Sequence, residues 1–557
     1  MRRNDWRARK LPRTSFHCSD RWQENQDDRR THAKDRQMSS LHADADTGDS
    51  AKSNHPTRGP DVVHLIGIGG AGMSALARLY LQMGCKVSGS DASDSPTVES
   101  LRILGTTIQI GHDPQLVSTL KMARNPLVVM SSAVPATNPE VVAAHELGLH
   151  VKKHAEALAW FANSKRTIAV AGTHGKTTTT AMIATAMRRA GIDASFQVGG
   201  ELVDLDTSAS WGKSEWMVIE ADEYDRRFLA YTPEVAILTN VEPDHFEYYG
   251  SVPEMEQAFI DFLGLVQPNG LVVASRSPNR ESDAGIERVL ETVPPLERGL
   301  RVTRYGQLDD GLDTPSHRTQ WWIGNIREHP GGSTFSVWPA HDRLTAEEPC
   351  EVLEGRLSVP GQHNILNAVA STIALAHVGI EPQVALDAMA HFHGVRRRFQ
   401  LAGNHDGVRV FEDYAHHPTE VRVTLAAAVH ITQPDDSNAP RGRLWAVFQP
   451  HLKVRTERLF DEFVQAFDAA NLVVVTDVYS PPGREPDGVY RGSAELVTAL
   501  NHRRNQQSES LARHIGEPRD AISVLMDELQ EGDVVLVMGA GPIDRLAHEL
   551  SSKLKNR

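Results

Sequence analysis

Short apolar runs that end in glycine or a burst of charge alternate along this chain with amphipathic stretches. Val62-Val63-His64-Leu65-Ile66-Gly67 predicts a strand, Gly67-x-Gly69-x-x-Gly72 a tight turn, Ser74 to Met83 an amphipathic helix, and Lys86 to Asp91 the next strand. That order makes a βαβ nucleotide fold. By itself it suggests a dinucleotide site with Asp91 against the ribose, although a lone G-x-G-x-x-G has little specificity.

A second unit carries more chemistry. Ala169-Val170-Ala171 reads as a strand, Gly172-Thr173-His174-Gly175 as a glycine-rich turn, and Lys176-Thr177-Thr178 as the start of a helix. Backbone N–H groups at such a turn face phosphates, Lys176 adds a point charge, and the Thr177 hydroxyl can ligate Mg²⁺. The usual G-x-x-x-x-G-K-[ST] pattern places glycine where Val170 stands, so the loop is a variant. Two further apolar runs, ending at Glu220-Ala221-Asp222-Glu223 and at Glu242-Pro243-Asp244-His245, deliver carboxylates and a histidine to strand ends. In a parallel sheet such ends share one edge, so Thr177, Glu220 and His245 are the predicted metal ligands.

The alternation continues to about Gly270, where a Pro-, Gly- and charge-rich region from Arg276 to Glu354 interrupts it. Within that region Trp321-Trp322-Ile323 and Thr334 to Trp338 predict a small antiparallel excursion whose tryptophans serve packing. His363, Asn364 and Asn367 follow at helical spacing, and Asn364 could equally cap that helix. Leu444 to Phe448, Leu472 to Asp477 and Asp533 to Met538 predict three more strands.

Composition narrows the function. The 557 residues suffice for three or four domains. Three cysteines, Cys18, Cys85 and Cys350, without a C-x-x-C pair, exclude a disulfide framework. A formal charge of −14 argues against nucleic acid as a partner. No apolar stretch approaches the ~20 residues of a membrane helix, so a cytoplasmic enzyme is expected. The first 60 residues hold 13 basic and 9 acidic side chains and few aliphatic ones, which predicts a disordered extension.

Taken together the motifs resemble the Mur ligase family from about His64 to the C-terminus. The resemblance rests on His64 to Met73, Gly172 to Thr179, Glu220 to Glu223 and Glu242 to His245. It continues through Gly361-Gln362-His363-Asn364-Ile365-Leu366-Asn367-Ala368, Arg396-Arg397-Arg398-Phe399, Asp413-Tyr414-Ala415-His416-His417-Pro418, Phe448-Gln449-Pro450-His451 with Arg455-Thr456, and Met538-Gly539-Ala540-Gly541. It implies an α/β fold of three domains after the 1–60 extension. These are a Rossmann-like UDP-sugar-binding domain at 61–163, a central P-loop ATPase domain with a mainly parallel sheet at 164–393, and a Rossmann-like amino-acid-binding domain at 394–557.

The implied activity is ATP- and Mg²⁺-dependent joining of UDP-N-acetylmuramate to L-alanine through an acyl phosphate, by a monomer or homodimer. Gly67, Gly69, Gly70, Gly72, Ser90 and Asp91 would then hold the UDP, and His363, Asn364 and Asn367 the adenine. Arg398, Asp413, His416, His451 and Arg455 would align ATP and amino acid after closure, with Lys176, Glu220 and His245 at the transferring phosphate. The adjacent His416 and His417 look like metal ligands, but neighbours in sequence rarely share one ion, which favours a polar loop. No lysine occurs between Lys213 and Lys453. That excludes the carbamyl-lysine used by several branches of the family and favours the alanine-adding branch. Where the family often has a basic residue after Pro-His, this chain has Leu452. The rival readings are the branch that recycles a whole tripeptide and a non-catalytic nucleotide-binding scaffold.

Overall fold

The computed structural model describes residues 59–276, 280–292, 299–307, 319–339, 352–432, 442–481, 488–505 and 512–557. The extension expected over 1–60 lies outside the described residues except for its last two. Among the described residues three sheets organise the chain into a three-domain α/β fold, and no helix there is long and apolar enough to cross a membrane.

The first sheet is parallel throughout, in the spatial order Thr107–Ile110, Lys86–Asp91, Val62–Ile66, Pro126–Met130, His150–Lys153. Strand Val62–Ile66 has a neighbour on each side, so the sheet's switch point falls at its carboxyl end, on the glycine turn. The helix after that turn runs Ala71–Gln82 and so begins three residues before the predicted Ser74. Its first turn packs close to the N-terminus of helix His154–Asn163: a Cβ on Gly72 would sit 2.9 Å from His154 Nε2.

The second sheet has ten strands among the described residues. Its centre is Arg166–Ala171, flanked by Val235–Leu238 and Trp216–Glu220, all parallel. The region from Arg276 to Glu354 differs from expectation, because it extends this sheet. Helix Arg280–Thr292 leads to Arg301–Gln307, which pairs parallel with Leu271–Ser275, and Thr319–His329, Gly332–Pro339 and Leu353–Leu357 add the edge. The antiparallel pairing of the tryptophan segments is as predicted, with Trp322 opposite Trp338. Trp321 packs on the core beneath, and Arg276 lies over Trp322, 5.7 Å from the ring centroid.

The third sheet runs Gln400–His405, Val408–Asp413, Val534–Met538, Leu444–Phe448, Leu472–Val475, Ala512–His514, parallel except for its first strand. Apolar cores cover both of its faces. A continuous core joins the first two sheets through Tyr80, Phe161 and neighbours. Edge-to-face contacts at 4.8 Å (Tyr80–Phe161) and 5.4 Å (Phe161–Trp211) tie helix Ala71–Gln82 to the second sheet.

Candidate active site

Strand register brings the chemistry together. Val170 pairs with both Ile237 and Glu220, and Ala171 with Leu238, so the phosphate loop and both acidic strand ends emerge at one edge. The loop needs glycine at two points. Gly172 has φ +125°, and a Cβ there would lie 2.2 Å from Thr239 Oγ1; Gly175 has φ +82° and would meet Asn367 Oδ1 at 2.8 Å. The Asn240 side chain accepts from the His174 N–H at 2.8 Å, and Thr173 exchanges hydrogen bonds with the Glu242 backbone. Helix Lys176–Arg189 starts directly from Gly175 with no side-chain cap, which leaves its first N–H groups to a ligand.

Lys176 donates from Nζ to Gly172 O at 2.6 Å and to Glu223 Oε2 at 2.8 Å. Thr177 Oγ1 donates to Glu220 at 3.0 Å, and the Gly199 N–H donates to the same carboxylate at 2.7 Å. Burial raises the Glu220 carboxyl, against the pull of Lys176.

His245, at φ +54°, stands opposite. Of the predicted metal set, Thr177 and Glu220 are in contact, whereas His245 is grouped with Asp222 and Glu223, one ligand atom of each lying within 4.8 Å of the others. Burial opposes its protonation, yet Asp244 first, then Glu223 and Glu247, lift its pKa to about 10. Among the described residues His245 Nδ1 is buried without a hydrogen-bond partner. A hard, oxygen-preferring divalent cation suits this donor set, since the carboxylate field that holds a proton on His245 equally favours a metal charge.

The third sheet's loops close over this edge. Arg455 Nε donates to Asp244 Oδ1 at 2.9 Å, with both side chains buried, and His451 Nδ1 accepts from Arg455 at 3.1 Å. Burial pushes Asp244 up, but Arg455, His245, His417 and His416 together outweigh it and hold the carboxylate well below its ordinary range. Thr419 Oγ1 donates to Glu242 at 2.7 Å. Glu420 accepts from the His416 N–H at 3.0 Å and pairs with Arg398 at 3.5 Å and His174 at 3.4 Å. Burial lowers His416 to about 4, so the ring is neutral, with Nδ1 2.9 Å from Tyr414 O. Asp413 accepts from the Phe399 and Ala415 N–H groups at 2.8 and 2.7 Å, and burial, opposed by Arg398 and these donors, raises it to about 6.

Two cavities meet at the phosphate loop. One, of about 590 Å³, is lined by Thr178, His363, Asn364, Asn367, Phe392 and Asp413 among others. His363 Nδ1 is buried there without a hydrogen-bond partner among the described residues, and burial lowers that ring to about 4, leaving a neutral imidazole. The helix begins at Gln362, capped by Gly361; Asn364 lies inside its first turn and donates to Pro360 O at 2.7 Å, so it is not the cap. The other cavity, about 1040 Å³, runs from Ala71, Ser74 and Arg78 past Lys176, Glu220 and His245 to His416, His451 and Arg455. Both share His174, Gly175, Thr177, Arg398 and Glu420.

At the N-terminal turn the predicted residues divide. Gly67 has φ +79°, and the Gly69 N–H donates to Asp91 Oδ2 at 2.8 Å. Gly70 caps helix Ala71–Gln82, and Gly72 packs on His154. Ser90 is fully buried and donates to Glu140 at 2.7 Å, beside a His64–Glu140 contact of 3.0 Å. Ser90 and Asp91 thus brace the turn. Arg227 of the central domain reaches across to Ser132 Oγ at 2.8 Å.

Known proteins match this architecture. Residues 62–166 match the catalytic domain of the Mur ligase family, 170–375 its middle domain and 397–541 its glutamate ligase domain. A UDP-N-acetylmuramate--L-alanine ligase from Mycobacterium sp. (strain JLS) is 39% identical over 502 residues, spanning 89% of this chain and 95% of that one. The chain belongs to the Mur ligase family. The protein of the same description from Mycolicibacterium smegmatis is 40% identical over 494 residues, 88% and 95% of the two chains. Among solved structures, the UDP-N-acetylmuramate-alanine ligase of Thermotoga maritima aligns with TM-score 0.67 at 25% identity, covering 89% of this chain and 99% of that one. The murein peptide ligase of Psychrobacter arcticus aligns with TM-score 0.62 at 26% identity, with the same coverage.

In this Mur ligase several residues beyond the sequence prediction occupy the site. Glu223 holds Lys176, Asp244 holds Arg455, and Glu420 gathers His174, Arg398 and His416. Arg397, at φ +61°, donates to Gly539 O and Gly541 O, joining two of the family motifs. Glu420 had a readable signal: His417-Pro418-Thr419-Glu420 is a capping box opening helix Pro418–Ile431.

Proposed function

We propose that this Mur ligase joins the lactyl carboxylate of UDP-N-acetylmuramate to the amino group of L-alanine at the expense of ATP. A carboxylate oxygen attacks the γ-phosphorus, the bond from phosphorus to the ADP oxygen breaks, and an acyl phosphate forms. The alanine nitrogen then attacks the carbonyl carbon, the carbon–oxygen bond to phosphate breaks, and the amine loses a proton. The observation that carries this reading is the meeting of the two cavities at His174, Gly175 and Thr177, which supports a nucleotide site and a second substrate site on either side of one phosphate loop. The relatives' names supply the substrates.

Lys176 neutralises charge on the transferring phosphoryl group, and the loop's N–H groups orient it. His363, Asn364 and Asn367 receive the adenine, with Thr178 and Asp413 on the same cavity wall. Gly67, Gly69 and Gly70 let a diphosphate approach the backbone, Gly72 seats the following helix against His154, and Ser90 and Asp91 keep that turn in shape. Thr177 and Glu220 would hold one Mg²⁺, and His245, with Asp222 and Glu223 beside it, a second. Mg²⁺ there supplies Lewis-acid charge neutralisation of phosphoryl oxygens. Arg398, His416, His451 and Arg455 line the acceptor side, and the closed loops exclude water from the acyl phosphate.

Borohydride trapping tests the intermediate. With MgATP and UDP-N-acetylmuramate but no amino acid, borohydride should convert the lactyl carboxyl to an alcohol detectable by mass. An unreduced sugar nucleotide recovered while ATP is consumed would refute the acyl-phosphate route.

A further inference from the structure

His417 has no part in the chemistry above, yet it is almost fully buried against the phosphate loop. Its ring lies 4.4 Å from that of His174, centroid to centroid. One ligand atom each from His174, Glu242 and His417 falls within 4.8 Å of the other two. The three residues come from three separate segments: the phosphate loop, the strand end after Val241, and the start of a helix on the closing domain. We infer that His174, Glu242 and His417 form a binding site for a borderline divalent transition-metal ion such as Zn²⁺. The site lies in the seam between phosphate loop and closing domain and is distinct from the Asp222, Glu223 and His245 group.

The donor chemistry selects the ion. Two imidazoles and one carboxylate are a zinc-type set, whereas Mg²⁺ prefers oxygen throughout. The supporting contacts are those of a metal site. Among the described residues His174 Nε2 is buried without a hydrogen-bond partner, and Nδ1 of the same ring faces Glu420 Oε1 at 3.4 Å. A carboxylate behind one ring nitrogen fixes the ring and turns the other nitrogen to a metal. The His174 Nε2 to Glu242 Oε2 separation of 3.5 Å is long for a direct hydrogen bond. Glu242 is itself held by the Thr419 hydroxyl at 2.7 Å. Among the described residues the His417 ring nitrogens make only long contacts, 3.3 Å each, with the Thr419 N–H and Pro243 O, so an ion displaces little. Three protein ligands leave a fourth position for water or a phosphate oxygen. An ion so placed ties the phosphate loop to the closing domain and opposes opening.

The test reads metal binding alone, so its outcome is separate from that of the ligase reading. The full chain, freed of nucleotide and Mg²⁺, is titrated with Co²⁺ by visible absorption and with Zn²⁺ by calorimetry. Circular dichroism verifies the fold of each variant. The proposal expects one ion that His245→Gln retains. His417→Gln and, independently, Glu242→Gln should weaken it by at least about 10-fold. No binding by the parent chain overturns the proposal. So does binding that His245→Gln abolishes while His417→Gln keeps it, which would place the ion in the acidic group. Affinity unchanged in both His417→Gln and Glu242→Gln overturns it as well.

Discussion

Lys176 shows how one residue's role is set by its neighbours. Its ammonium lies between two loop carbonyls and Glu223, and Glu223, Asp222 and Glu220 keep it charged despite burial. Lys176→Ala should therefore lower phosphate release by at least about 10²-fold, the scale of losing one preorganised charge donor. Calorimetry should find UDP-N-acetylmuramate binding intact, and a near-normal rate would remove Lys176 from the mechanism. Gly172→Ala tests the loop's shape. A methyl group would meet Thr239 Oγ1 and the Asn240 backbone at a φ that side chains rarely adopt, so the loop must move. ATP affinity should fall while the UDP-sugar affinity holds; unchanged ATP affinity would mean that the close approach is incidental. Lys176, Thr177, Glu220 and His245 were all legible in the sequence because each sits in a local motif. Glu223, Asp244 and Glu420 were not legible as partners, since a pair such as Arg455–Asp244 spans 211 positions and exists only once two domains meet.

Among the elements, strands were legible where apolar runs end in glycine, as at Val62–Ile66 and Arg166–Ala171. Arg301–Gln307 escaped because its buried Arg304 breaks the hydrophobic pattern. Its two terminal nitrogens are held by Asp283 at 2.9 Å, Glu287 at 2.6 Å and Ser275 O, partners that only folding supplies. A related knot binds three elements of the central domain. Glu234, just before Val235–Leu238, accepts from Arg166 at 2.6 Å, and its carboxylate lies 2.8 Å from a ring nitrogen of His377 on helix Gln362–Val378. Arg166 first, with His377 and against partial burial, lowers Glu234 to about 2. A carboxylate whose folded pKa lies below its unfolded value stabilises the fold at higher pH. That contribution is lost as pH falls from about 4.5 through about 2. Because Arg166 is half exposed, screening holds it to the order of 1–2 kcal/mol. Glu234→Gln should lower the thermal midpoint at neutral pH and flatten its decline between those pH values. A parallel decline in both proteins would contradict the assignment.

Across the whole molecule, the closing domain is fastened to the central one by Arg455–Asp244, Thr419–Glu242 and His174–Glu420. Arg455 is the strongest of these ties, since removing one partner of a buried ion pair costs about 3–5 kcal/mol. Arg455→Gln should open the molecule, seen as a larger radius of gyration by X-ray scattering in MgATP, and reduce turnover more than ATP affinity. An unchanged radius would make the pair dispensable for closure. Which amino group enters the closed site decides the central claim. The most direct measurement is phosphate release from MgATP and UDP-N-acetylmuramate, with L-alanine, glycine, L-serine or the muramyl tripeptide added singly and products identified by mass. Release that depends on L-alanine and yields its amide is the predicted result. Turnover with the tripeptide alone, or ATP hydrolysis indifferent to every amine, would contradict it.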